Sequence, residues 1–304
     1  KKKKKKKKKK KIKIKKKKLN TNSRKIDFFL KKYLNKQKHS LLIDPMKYGL
    51  LYGGKKIRSS VILDTGKLFN LKFNKLVNLC AAVECIHSYS LIHDDLPCMD
   101  NDSVRRGKPS THVRYGESTA VLAGNSLLTL AFEIIADKKY KIDSNSKIEI
   151  IKYLAFCSGH TGIAGGQELD LSFEKKRKNS KQIIDMQRKK TGKLFNFCCY
   201  VSGVIAKKNK KEKIFLSSLG EDLGLLFQLA DDFLDVKGSK KITGKPTKKD
   251  STKGKSTLIN LMGYKKAYKY ANNLKINILR KLKKHGKKAK DLNETIEFIL
   301  GRNF

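Results

Sequence analysis

Two short stretches hold the residues best suited to chemistry. The first, LIHDDLPCMDND over Leu91–Asp102, sets Asp94, Asp95, Asp100 and Asp102 within nine positions, with Arg105 and Arg106 just beyond. The second, FQLADDFLDV over 227–236, carries Asp231, Asp232 and Asp235. Adjacent carboxylates repel, and like charges four residues apart weaken a helix, so each cluster calls for a cation. Lysine is the abundant cation of this chain, yet none is interleaved with either set. Hard carboxylate oxygens in this number suit Mg²⁺, which keeps part of its water and is commonly shared with substrate phosphates. Basic groups suited to a diphosphate occur in GGKKIR (Gly53–Arg58, with Lys55 and Arg58), at Arg105 and Arg106, and at Lys190, Lys245 and Lys255. The arginines are the more informative, being rarer here and able to grip phosphate bidentately.

Helices are needed to present these groups. Projected at about 100° per residue, the second stretch and the residues before it put Leu219, Leu223, Leu226, Ala230 and Phe233 on one stripe. Gln228, Asp231, Asp232 and Asp235 then fall on the opposite face, a pattern that an ordinary solvated helix also makes. FNKLVNLCAAVECIHSYSLIHDD reads as a long apolar helix on which His87, Leu91 and Asp94 share a face. Pro97 ends it, so Asp100 must reach back from the following turn. Other helical segments surround these two, strand-like alternation is nearly absent, and only four prolines occur. No repeat and no dividing linker is visible. The expectation is one all-α domain over 19–304, a single-domain bundle of about ten helices.

Composition sets the outer bounds. A chain of 304 residues with 39% hydrophobic content is long enough for an ample core. Lys+Arg 72 against Asp+Glu 27 gives a net charge of +45. The first 18 residues hold 16 lysines, and removing them still leaves +29 on the remainder. Residues 1–18 cannot bury apolar surface and are expected to form a disordered poly-Lys tail. That tail reads as an arm for nucleic acid or anionic lipid, as part of a targeting peptide, or as the mark of a lysine-biased composition. Arginine is absent from it and serine scarce nearby, which speaks against targeting. Six cysteines lack CxxC or His-paired spacing and suit reduced thiols in a cytoplasmic setting. No stretch is expected to span a membrane. There is no aromatic interleaving of the kind that marks specific nucleic-acid recognition, and no nucleophile–base constellation.

Taken together, the segments resemble the all-trans isoprenyl diphosphate synthases, in particular the bacterial farnesyl diphosphate type. The match runs through GGKKIR, ECIHSYSLIHDDLPCMDNDSVRRGKPSTH, GGQELDL, KTG, FQLADDFLDV, GKST and the terminal GRNF, in that order. The resemblance implies a helical bundle around a deep central cavity, usually as a homodimer. It implies that Asp94, Asp95 and Asp100, facing Asp231, Asp232 and Asp235, hold about three Mg²⁺ on an allylic diphosphate. Arg105, Lys190 and Lys245 would complete that diphosphate's shell, with Lys255 a further basic contact. Lys55, Arg58, His87 and Arg106 would take isopentenyl diphosphate, and Thr191 and Gln228 would line the reacting centre. Tyr89, five residues before the first aspartate, would form the floor of the chain pocket, and an aromatic there looks like the fifteen-carbon pattern. Two departures stand out: Ser59 where proline is common, and a Lys-rich loop with Ser239 where an aspartate is often found. Rival readings are a geranylgeranyl diphosphate synthase, a terpenoid cyclase or squalene/phytoene-type enzyme, a non-catalytic partner subunit, and an anionic-surface binder.

Overall fold

Helix α4 (Val77–Asp94) organises the molecule. Every residue from Val77 to Ile86 is buried, as befits a helix that is apolar all round and so has no face to offer water. The computed structural model describes residues 2–174, 176–237 and 257–301. Ahead of α4 come α1 (Lys2–Leu34), α2 (Ile43–Leu51) and α3 (Ile57–Gly66). After it come a two-stranded ribbon, β1 (Val104–Arg105) and β2 (Lys108–Pro109), then α5 (Thr111–Tyr115), α6 (Glu117–Ala136), α7 (Ser144–Ser158) and α8 (Ile163–Ser172). The chain continues through α9 (Ser180–Gln187), a π-helical turn (Arg188–Gly192), α10 (Lys193–Ile205) and α11 (Lys210–Lys237). It closes with α12 (Leu258–Met262), α13 (Tyr264–Leu282) and α14 (Lys290–Gly301).

Helix α4 lies against α6 and α3, while α10 packs on α11, α3 and α7. One continuous apolar core joins them. Where α10 meets α11 the backbones come unusually close, and glycine makes this possible. A Cβ on Gly224 would stand 2.6 Å from Gly192 Cα, and one on Gly220 2.5 Å from Asn196 Cα. Local capping fixes other helix starts: Asp143 accepts from the Ser146 amide at the head of α7, and Asn179 and Gln182 form a reciprocal capping box on α9.

The expected all-α bundle is present, with three corrections. The tail expected to be disordered over 1–18 is instead part of α1, which begins at Lys2. Lysine has good helix propensity, and from Lys15 the helix is tied into the domain. Lys15 is 2% exposed and its Nζ lies 2.7 Å from Asp64 Oδ2. Asp64 is wholly buried and also accepts from Thr295 Oγ1 at 2.6 Å. Second, the short ribbon β1–β2 interrupts the helices, too brief to leave a period in the sequence. Third, α6 is long and apolar enough to cross a bilayer by length and composition, although no such stretch was expected. Its apolarity has a local cause: Ala120, Ala123, Leu127, Ala131 and Ile134 are fully buried on the side packed against α4.

Candidate active site

The first aspartate cluster is built by the end of α4. Asp94 is its last residue, and the chain beyond Pro97 folds back as the proline requires. The Asp100 amide donates to Asp94 C=O at 2.8 Å and the Asp102 amide to Asp95 C=O at 3.1 Å. Asn101 adopts φ 48° to make the reversal, a conformation asparagine tolerates better than most residues. The ribbon follows, its two-residue turn formed by Arg106 (φ 54°) and Gly107 (φ 79°). Positive φ at both positions fits the twist of a tight hairpin. This turn sends Arg105 back to α4, where its Nε lies 3.0 Å from both carboxylate oxygens of Asp95 and its Nη2 also bonds Oδ1. Arg106 turns the other way and donates from Nη1 to the carbonyls of Tyr52 (2.9 Å) and Gly53 (3.2 Å). Gly53 (φ 69°) and Gly54 (φ 90°) give that loop its shape.

Arg58 sits in the first turn of α3. Its guanidinium lies over the rings of Phe195 (5.1 Å) and Phe227 (5.7 Å), and its buried Nε has no hydrogen-bond partner. Ser59 explains its own departure from proline. Its amide and hydroxyl both donate to Glu84 Oε1, at 3.2 and 2.6 Å, which ties α3 to α4. Proline supplies neither donor.

The second cluster lies on α11. Its apolar stripe is buried as expected, with Leu219, Leu223, Leu226, Ala230 and Phe233 all at 1% exposure or less. The opposite face is not solvated: Asp232 is only 4% exposed. It accepts from Gln228 Nε2 at 2.8 Å and Gln187 Nε2 at 3.1 Å. Thr191 Oγ1 in turn donates to Gln228 Oε1 at 2.9 Å. The π-helical turn brings Lys190 and Thr191 to this wall together, and such turns often mark functional sites. Lys190 Nζ lies 2.7 Å from Asp170 Oδ2 and 3.8 Å from Asp94 Oδ1.

Both clusters line one cavity of about 460 Å³. Asp94 and Asp100 belong to one wall, and Asp231, Asp232 and Asp235 to the other. Between them are Lys55, Arg58, His87, Arg105 and Arg106, together with Lys190, Thr191 and Gln228. Asp95 stands just aside, lining a smaller adjoining pocket beside Arg105. Tyr89 is buried but is not among the lining residues; its hydroxyl points to Ser158 C=O at 3.4 Å and its ring meets His93 edge-on. Lys245 and Lys255 lie outside the described residues. Asp102, counted in the first stretch but given no role there, and Gln167, Asp170 and Gln187 are all cavity or hydrogen-bonding neighbours of these groups. Asp102 was legible as the fourth acid of the first stretch, and Gln167 and Asp170 as the polar letters of GGQELDL.

The electrostatics follow from crowding. Burial, reinforced by Arg58, Arg106 and Arg105, holds the His87 imidazole well below its ordinary range, so it is neutral at physiological pH. Burial pushes the Asp95 carboxyl upward against the pull of Arg105. Burial pulls Arg58 and Arg106 down, with Glu84 opposing it in both. Among the described residues, no three carboxylate, imidazole or thiol groups are already drawn together as a closed metal cage. The donor set is instead two walls of hard oxygens facing cationic side chains. That fits divalent ions which take the rest of their coordination from water and a diphosphate.

Two aspartate clusters across one basic cavity point to a family, and the chain as a whole bears this out. Residues 39–297 match the polyprenyl synthetase family. The chain belongs to it. Among curated members, the farnesyl diphosphate synthase of Escherichia coli (strain K12) is 39% identical over 267 residues, covering 86% of this chain and 89% of that one. Among solved structures, an FPP/GFPP synthase from Zymomonas mobilis in its apo form is similar with a TM-score of 0.85 at 33% identity, over 95% of this chain and 99% of that chain. A geranyltransferase from Helicobacter pylori, complexed with magnesium and isoprenyl diphosphate, reaches 0.80 at 31% identity over 93% and 95%. As a polyprenyl synthetase, the chain has its family's helical bundle, and the cavity described above is its candidate active site.

Proposed function

We propose that the protein is a magnesium-dependent prenyltransferase that condenses an allylic diphosphate, dimethylallyl or geranyl, with isopentenyl diphosphate, releasing diphosphate and giving mainly farnesyl diphosphate. The observation that carries the reading is the single cavity shared by Asp94 and Asp231, with Arg58, Arg105, Arg106 and Lys190 between them. Asp94, Asp95, Asp100, Asp231, Asp232 and Asp235 would hold about three Mg²⁺, which neutralise a bound diphosphate and make it a better leaving group.

The chain's own groups account for the rest. Arg105 and Lys190 face the departing diphosphate and stabilise charge where it develops. Lys55, Arg58, Arg106 and neutral His87 hold the diphosphate of isopentenyl diphosphate, so that its alkene attacks the allylic carbon as the carbon–oxygen bond breaks. A proton then leaves the new chain for the released diphosphate. Thr191 and Gln228, which line the same cavity, would flank the reacting centre. Ile163, Met186, Phe227 and Leu234 also line the cavity, and their apolar surface keeps water from the reactive carbon. Lys245 and Lys255 are proposed to add to the diphosphate shell. Tyr89 sits about 7.5 Å of helix rise before Asp94, deeper in the bundle, which suits a floor that stops the chain at fifteen carbons.

We further propose that the enzyme works as a homodimer in the cytoplasm. Incubating purified protein with isopentenyl and dimethylallyl diphosphates, with and without Mg²⁺, and measuring product length tests the reading. A magnesium-dependent fifteen-carbon product is expected. No condensation in either case would overturn it, and a twenty-carbon product would assign geranylgeranyl synthesis instead.

A further inference from the structure

The GGQELDL segment on α8 has no part in the chemistry above, yet two of its side chains reach the site from one helix face. Gln167 and Asp170 are three residues apart and so neighbours on the helix surface. Gln167, 7% exposed, donates from Nε2 to Asp94 Oδ1 at 2.8 Å. Asp170 Oδ2 holds Lys190 Nζ at 2.7 Å, while the same ammonium stands 3.8 Å from Asp94 Oδ1. Gly166 permits the approach, since a Cβ there would collide with the backbone of Lys190. The ammonium of Lys190 thus lies between two carboxylates, nearer the one with no part in the metal set. Were it to settle on Asp94, it would compete with a divalent cation for that oxygen.

We propose that Asp170 is a positioning residue that holds Lys190 off Asp94, while Gln167 fixes the Asp94 carboxylate, so that α8 keeps Asp94 available to a divalent cation until a diphosphate draws Lys190 away. The inference rests on the metal-cradle reading of the two aspartate clusters. It differs from direct coordination by Asp170, and from a tie that merely fastens α8 to the π-helical turn.

The test is Mn²⁺ binding to the full chain without added pyrophosphate, so that no other anion draws Lys190 from Asp94, followed by the electron paramagnetic resonance of free Mn²⁺, in a double-mutant cycle. Asp170→Asn is expected to weaken Mn²⁺ binding about tenfold, at the low end for loss of a group supporting a metal ligand. In a Lys190→Met background the same change should cost less than about twofold, because no ammonium remains to fall on Asp94. Asp170→Glu should bind nearly as the parent does. Equal losses in both backgrounds would overturn the proposal and make Asp170 a ligand, and no loss in either would leave only a structural tie. Thermal melts identify any variant that does not fold, and Asp170→Ser then replaces Asp170→Asn in the cycle. If the unmodified protein itself failed to bind Mn²⁺ even with added pyrophosphate, the cradle reading would fall and this inference with it.

Discussion

Asp94 and Asp231 are the residues on which turnover should depend most, because each leads one of the two aspartate clusters that line the cavity. Asp94→Ala or Asp231→Ala is expected to lower kcat by roughly 10³-fold, the scale seen when one charge-stabilising group is removed. Circular dichroism and melting should stay close to those of the parent, and near-normal rates in either variant would contradict the assignment. The role proposed for Tyr89 concerns a different quantity. Its ring is buried between α4 and the end of α7; if it forms the proposed floor, Tyr89→Ala should open space beneath the growing chain and shift product toward twenty carbons at similar overall rates. Unchanged farnesyl output on product analysis would remove Tyr89 from the floor. The acidic residues of both clusters were legible because charge density of one sign, free of lysine in a lysine-rich chain, has few structural uses. Glu84 was not, since a lone acid on an apolar helix carries no such mark until its partner, Ser59, is beside it.

At the scale of elements, period and proline placed α4 and α11 and the turn between Asp94 and Asp100, because those features are local. What sequence could not show depends on distance along the chain. The π-helical turn adds a residue to one turn between α9 and α10, which changes which side chains face the cavity without altering composition. The docking of α1 was equally hidden: Lys15 looks like every other lysine of its tract, and its partner Asp64 lies 49 positions away. The same junction gives a pH signature. Asp291, in the first turn of α14, is bonded by Lys67 and lies 2.5 Å from Lys18 of α1. Burial works against its ionisation, but Lys18 and Lys67 outweigh that and bring its pKa down to about 2. The folded value is thus below the ordinary carboxylate value of roughly 3.9. Its stabilising contribution should be complete above pH 4 and vanish as pH falls toward 2. Thermal melts of the parent and Asp291→Asn should therefore differ at pH 6 and converge between pH 4 and 2. A gap that persists unchanged at pH 2 would show that this carboxylate's charge is not what joins α1 to α14.

The homodimer proposed above would have to reconcile a net charge of +45 with self-association. Helix α6 offers the surface for it: its inner side is packed on α4, while Val121 and Leu122 on its outer side are 39% and 51% exposed. An apolar helix with one face still open is matched by a second copy of itself about a two-fold axis, since each copy then covers the other's open face. Charge opposes this, because two strongly basic bodies repel over a Debye length of about 30 Å at 0.01 M salt but only about 8 Å at 0.15 M. Apolar burial is insensitive to that screening. Dimerisation should therefore tighten as salt rises from 0.01 to 0.15 M, the opposite of an association driven by complementary charge. Val121→Asp with Leu122→Asp places two acids per copy in the joint and should leave monomers at both salt concentrations, with the monomer's melting temperature little changed. Sedimentation velocity reads both effects. A double variant that still sediments as a dimer would move the joint away from α6, and a dimer that loosens with added salt would make charge, not apolar contact, its cause.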